Sequence, residues 1–202
     1  MSMCASDWTA LPVRSPVADL LADLAAALDA LSIPWYLFGA QAAIVYGVAR
    51  LTADVDVTVR APENRPVAQW LPTLERHHFL PRFTDPEFLA RTRVLPLVHA
   101  PTTLPVDLVL AGPGLEEEFL NRARPQSVDG IIVPVADVSD LVILKVLAAR
   151  PKDLDDVAAL LRVQGERIDD SRVRQVLAML EEALGQSDLM PEFDRLRAQA
   201  PR

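Results

Sequence analysis

Tyr36-Leu37-Phe38-Gly39-Ala40, followed by Arg50-Leu51-Thr52-Ala53-Asp54-Val55-Asp56-Val57, decides how the chain is to be read. An apolar run ends in Gly39, and a short apolar helix over Ala40–Tyr46 is expected next, closed by Gly47. The stretch from Ala53 to Val59 then alternates as a strand. It places Asp54, Asp56 and Thr58 on one face and three valines on the other. The valine face belongs to a core. The aspartate face does not, unless its charges are paired or hold a metal. Residues i and i+2 of a strand project together, with Cα atoms about 6.7 Å apart. Two convergent carboxylates suit one or two hard divalent cations such as Mg2+, which require oxygen ligands. A phosphate could lie against the backbone N–H groups that open the helix after Gly39.

Working outward, Ser15 caps and Pro16 starts a helix carrying Leu20, Leu24, Leu28 and Leu31 at helical spacing. Residues 1–14, before it, show no periodicity and read as a loose tail. Trp35–Phe38 is the first strand. Residues 62–78 read as a helix with Val67, Trp70, Leu71 and Leu74 inward, although Pro66 and Pro72 blur its ends. Asp85-Pro86-Glu87 opens a short helix. Val94–His99 and Leu104–Leu110 form a hairpin, and Leu115–Arg122 a helix. Asp129-Gly130 turns into a strand over Ile131–Val135. From Asp137 onward the pattern is helical, in four segments. The expected class is therefore α+β, a mixed α/β part at 1–136 and a helical part at 137–202 packed on it.

The totals narrow the function. With 202 residues and half of them hydrophobic, the chain can bury a core. No apolar run approaches bilayer length, and the N-terminus lacks a signal pattern. Cys4 is the only cysteine, which excludes a disulfide framework and a cysteine metal site and suggests a reducing, cytoplasmic setting. A net charge of −8 argues against broad non-specific binding to nucleic acid. Of 20 basic residues only Lys145 and Lys152 are lysine, and they fall close together. Where arginine is the habitual cation, a compact point charge suits a phosphate.

Asp107 sits within Val106-Asp107-Leu108-Val109, where a carboxylate needs a partner or an outward orientation. As a third carboxylate beside Asp54 and Asp56, it could bind metal and accept a proton from an attacking hydroxyl. Lys145 lies on an apolar stretch of helix, and its ammonium could reach inward to a phosphate or snorkel to the surface. Lys152 and Asp156 stand at i, i+4, the spacing of a surface ion pair. His77, His78 and His99 show no metal-ligand spacing. The chain contains neither a Gly-x4-Gly-Lys loop nor a Gly-x-Gly-x-x-Gly fingerprint, and no nucleophile elbow.

Phe38-Gly39-Ala40-Gln41-Ala42-Ala43 and Arg50-Leu51-Thr52-Ala53-Asp54-Val55-Asp56 together resemble the Gly-(Gly/Ser)…Asp-x-Asp signature of the polymerase-β-like nucleotidyltransferases. Lys145…Arg150-Pro151-Lys152-Asp153-Leu154-Asp155-Asp156 resembles the Lys…Arg-x-Lys-Asp-x-x-Asp segment of the AbiEii/AbiGii toxin type. The resemblance spans about residues 33–163. It implies a nucleotidyltransferase core with a central mixed sheet flanked by helices, and a helical C-terminal part. Asp54 and Asp56 would hold Mg2+ or Mn2+ against an NTP, with Asp107 as third carboxylate and metal ligand. Gly39, Ala40, Lys145 and Asp156 would serve the nucleotide. The implied reaction moves an NMP from an NTP to an acceptor hydroxyl and releases pyrophosphate. A toxin-type member would act on RNA such as tRNA, or on protein, with a cognate antitoxin or a second copy of the chain as partner. The alternatives are a small-molecule enzyme of the antibiotic-modifying kind and a catalytically inactive nucleotide- or partner-binding module. Ala40 stands where many members carry Gly or Ser. It lacks the serine hydroxyl but retains its backbone N–H.

Overall fold

The computed structural model describes residues 14–62, 64–83 and 85–200, so the tail expected at 1–14 lies outside the described residues except for its last position. Helix α1 (Pro16–Leu31) begins where the Ser15 hydroxyl accepts the Ala18 N–H at 3.3 Å and stops at Ser32, whose φ is 55°. Its Leu20, Leu21, Leu24 and Leu28 are fully buried. Strand β1 (Trp35–Phe38), helix α2 (Gly39–Val45) and strand β2 (Val55–Val59) follow. A 3-10 turn at Val67–Gln69 leads into α3 (Leu71–Arg76), then β3 (Phe79–Pro81), α4 (Pro86–Thr92), β4 (Val94–His99) and β5 (Pro105–Leu110). Next come α5 (Leu115–Arg122), β6 (Arg124–Val128) and β7 (Ile131–Val135). The chain ends in α6 (Val138–Ala148), α7 (Pro151–Gln164), α8 (Asp170–Leu184) and α9 (Leu189–Gln199).

The strands form one mixed sheet in the order β3-β4-β5-β2-β1-β7-β6. The β1–β7 and β2–β5 pairs are parallel and the other four are antiparallel. Val55, Val57 and Val59 bury their whole face of β2, as alternation requires. Helix α6 is buried on most sides and packs against α2, α7, α8 and α9. A single apolar cluster includes Leu24, Leu37, Val57, Val142, Leu160 and Phe193, so it reaches from α1 through the sheet to α9. Among the described residues, no helix is long and apolar enough to cross a membrane.

Four expectations change. The helix foreseen over 62–78 divides into the 3-10 turn and α3, because Pro66 holds an extended ψ of 148° and Pro72 restarts the helix. Strands β3 and β6 carry no alternation signal. Both lie at sheet edges, where Pro81 and Pro125 are tolerated. Helix α9 starts at Leu189 rather than Pro191. Strand β2 begins at Val55, so Asp54 stands on the approach to the strand instead of within it.

Candidate active-site cleft

One row of residues crosses the sheet. Phe38 pairs with Asp56, Asp56 with Asp107, and Asp107 with Pro96. The parallel β2–β5 register thus sets two carboxylates from distant parts of the chain side by side. Asp54 joins them from the approach to β2, held by a hydrogen bond from the Thr52 hydroxyl to Asp54 Oδ1. Above the row, Gly39 has a φ of +67°. A Cβ at this position would overlap Asp56 Oδ2 and stand 3.0 Å from the Asp56 Cβ and Cγ. The turn can therefore close over the aspartate only because residue 39 is glycine.

Burial raises the pKa of Asp56 to about 6, with further increases from the charges of Asp54 and Asp107. Lys145 and Arg150 pull it back down. Asp107 is also raised by burial and by Asp54, against the opposing charge of Arg82. The Arg82 guanidinium donates from Nη2 to Asp107 Oδ1.

The facing wall is cationic and comes from the corner between α6 and α7. Ala149 adopts a φ of 50° and Pro151 restarts the helix, which folds the second segment back on the first. Lys145 is only 3% exposed. Its Nζ stands 2.6 Å from Asp156 Oδ2 and 3.4 Å from Asp153 Oδ1. Arg150 Nε donates to Asp153, and Arg50 Nη1 to Asp156. Three cations thus share two buried carboxylates, leaving a positive surplus, to which exposed Lys152 adds.

Gly39, Ala40, Asp54, Asp56, Asp107 and Lys145 all line one cleft of 380 Å³. Arg50, Thr52, Arg150, Lys152 and Asp153 line it too. Asp156 does not; it stands behind Lys145 and holds that ammonium, in place of the Lys152 pair that i, i+4 spacing suggested. Arg82 had no sequence signal, because nothing in the spacing of β3 shows which carboxylate it meets. His99 is fully buried and satisfied by Asp23 and Thr102.

Among the described residues, no group of three or more His, Cys, Asp or Glu side chains is arranged to hold a metal ion unaided. The oxygen-only donors nevertheless fit a hard divalent cation whose shell is completed by other ligands. Burial first, and repulsion from Asp54 and Asp107 second, make the Asp56 charge costly, and such a cation would relieve that cost. Lys145 and Arg150 oppose that repulsion only in part.

No protein-family model and no curated protein sequence matches the chain. Solved structures do. The solution structure of the antibiotic-resistance factor ANT(2'')-Ia is similar with a TM-score of 0.57 at 12% identity, over 86% of this chain and 97% of that one. The crystal structure of ANT(2'')-Ia in complex with adenylyl-2''-tobramycin gives 0.58 at 12% identity, over 84% and 99%. An antigenic nucleotidyltransferase-like protein from Paracoccidioides brasiliensis gives 0.53 at 15% identity, over 95% and 96%. At these identities the likeness is one of fold, and the fold is that of the nucleotidyltransferases.

Proposed function

We propose that the protein transfers an NMP from an NTP to an acceptor hydroxyl, with pyrophosphate leaving. The observation that carries this reading is the pairing of Asp56 with Asp107 on one wall of a cleft whose other wall holds Lys145, Arg150 and Lys152. A triphosphate between the walls would meet cations on one side and metal-binding carboxylates on the other. Asp54, Asp56 and Asp107 would hold Mg2+ or Mn2+, which when bound neutralises phosphate charge developing in the transition state. Lys145, Arg50, Arg150 and Lys152 would contact phosphate oxygens. Asp156 and Asp153 keep Lys145 aimed into the cleft. Gly39 and Ala40 form the surface over which the nucleotide lies. Asp107 accepts the proton of the acceptor hydroxyl as its oxygen bonds to the α-phosphorus and the bond to pyrophosphate breaks. Positioning and charge supply the rate, since no protein side chain becomes covalently attached.

In the toxin-type form of this reading, the acceptor hydroxyl belongs to an RNA such as tRNA or to a protein. The NTP donor then implies a cytoplasmic setting, with a cognate antitoxin or a second copy of the chain as partner. The Lys145…Arg150-x-Lys152-Asp153-x-x-Asp156 segment supports it, with Lys145, Arg150, Lys152 and Asp153 at the cleft and Asp156 behind Lys145. A small-molecule acceptor is the second reading. It is favoured by the likeness to ANT(2'')-Ia, one of whose structures contains adenylyl-2''-tobramycin. An acidic chain also attracts a cationic acceptor.

The experiment is incubation with α-labelled NTPs, Mg2+ or Mn2+, and either cell extract or an aminoglycoside panel. Label on macromolecules supports the first acceptor class, and label on the small molecules alone the second. No transfer to either, or transfer that survives Asp56→Asn, removes the enzymatic reading.

A further inference from the structure

Arg82 lies outside every motif considered above, yet it closes the row of residues that builds the acidic wall. Its backbone N–H donates to the Pro96 carbonyl at 3.0 Å, immediately beyond β3. Pro96 is the β4 partner of Asp107. The backbone therefore delivers the Arg82 side chain beside Asp107, and Arg82 Nη2 takes Asp107 Oδ1. Three other cations of the cleft are engaged elsewhere: Lys145 and Arg150 with Asp153, Lys145 and Arg50 with Asp156. Arg82 is thus the ion-pair partner that the structure gives to the three-carboxylate wall. Both members of the pair remain about one-third exposed, at 37% and 35%.

We propose that Arg82 is a tethered counter-cation at Asp107 Oδ1 that competes with a divalent cation for this carboxylate, so that it governs when the third carboxylate becomes a metal ligand. This rests on the nucleotidyltransferase reading of the cleft. A guanidinium on Oδ1 uses one of that oxygen's lone pairs and sets a positive charge beside it, so a divalent cation at this carboxylate must work against it. A partly exposed ion pair is weak enough to be displaced by a doubly charged ion, especially when phosphates arrive to complete the shell. Before nucleotide binds, the guanidinium holds the Asp107 carboxylate aimed along the row. Once displaced, it stays tethered at the end of β3 by its backbone bond to Pro96. Arg82 is accordingly a positioning residue.

The test is titration of the full-length protein with Mn2+ in the absence of nucleotide, free Mn2+ being read by electron paramagnetic resonance. The wild type binds Mn2+ through Asp56, and Asp56→Asn weakens that binding. Arg82→Ala should bind Mn2+ about fivefold more tightly than the wild type, whereas Arg82→Lys, which keeps the charge, should stay near it. A purely structural role would instead loosen Mn2+ binding, and circular dichroism reports whether each variant is folded. Asp56-dependent binding that Arg82→Ala leaves equal or weaker overturns this inference alone. Absence of Asp56-dependent Mn2+ binding in the wild type overturns the metal reading of the cleft together with it.

Discussion

At Gly39 the backbone bends through a positive φ while its Cα rests against the Asp56 carboxylate. Gly39→Ala faces a left-handed backbone cost of roughly 1–2 kcal/mol and must also push that carboxylate out of the row. NMP transfer should fall by at least about 100-fold, in a protein that still folds but melts several degrees lower. Asp56 makes a different prediction. Its pKa is about 6 in the folded chain against the ordinary 3.8, so the native state holds its proton more tightly than the unfolded state does. Below both values the group costs nothing. As pH rises from about 4 to 6 the unfolded state releases the proton first, and stability falls on the order of 3 kcal/mol before levelling off. In chelator, Asp56→Asn should therefore stabilise the protein at pH 7.5 and not at pH 4, as measured by urea melts. A variant no more stable at pH 7.5 contradicts the cost of holding a charged Asp56 in this buried site. Asp56 and Asp107 stood out in the sequence because carboxylates interrupt valine- and leucine-rich strands, and Asp54 through its spacing to Asp56. Arg82 did not, since its partner depends on a register between strands remote in sequence.

Helix α6 carries Asp140, which is fully buried and accepts Nε–H bonds from Arg122 of α5 at 2.9 Å and Arg172 of α8 at 2.8 Å. Burial raises its pKa against the pull of both guanidiniums. Asp140→Ala removes the shared anion and leaves two partly buried cations without it, a loss of about 3–5 kcal/mol in urea unfolding. An effect below 1 kcal/mol would show that the three helices hold by apolar packing alone. At the α6–α7 corner, Asp156→Ala frees Lys145 from its 2.6 Å anchor. The expected result is a roughly tenfold rise in KM for NTP with Mn2+ binding unchanged; the reverse split would move Asp156 to the metal side. Most helices were legible from caps and periodicity, as with Ser15, Asp85 and Asp137. Strands β3 and β6 were not, because edge strands of three and five residues containing proline owe their conformation to a neighbour.

On the scale of the whole chain, one apolar cluster joins the sheet to the last four helices. We propose that 137–202 is a subdomain packed on 1–136 that cannot unfold separately. Thermal melts followed by circular dichroism and by tryptophan fluorescence (Trp35 and Trp70 both lie in the sheet-side part) should coincide in a single transition. Two resolved transitions would separate the parts. Alternation and helical periodicity identify the class of fold, but not the order β3-β4-β5-β2-β1-β7-β6. The parallel β2–β5 pair joins strands with two others between them in sequence, and no local pattern records that choice.

The two walls of the cleft are also separated in time. Synthesis proceeds from the N-terminus at about 5–20 residues per second, and among the described residues the sheet is complete at Val135, before Lys145, Arg150 and Lys152 exist. A ribosome-bound chain that has emerged only as far as the sheet has the carboxylates and Arg50 but lacks Lys145, Arg150 and Lys152. The cleft is therefore complete only once α6 and α7 have emerged.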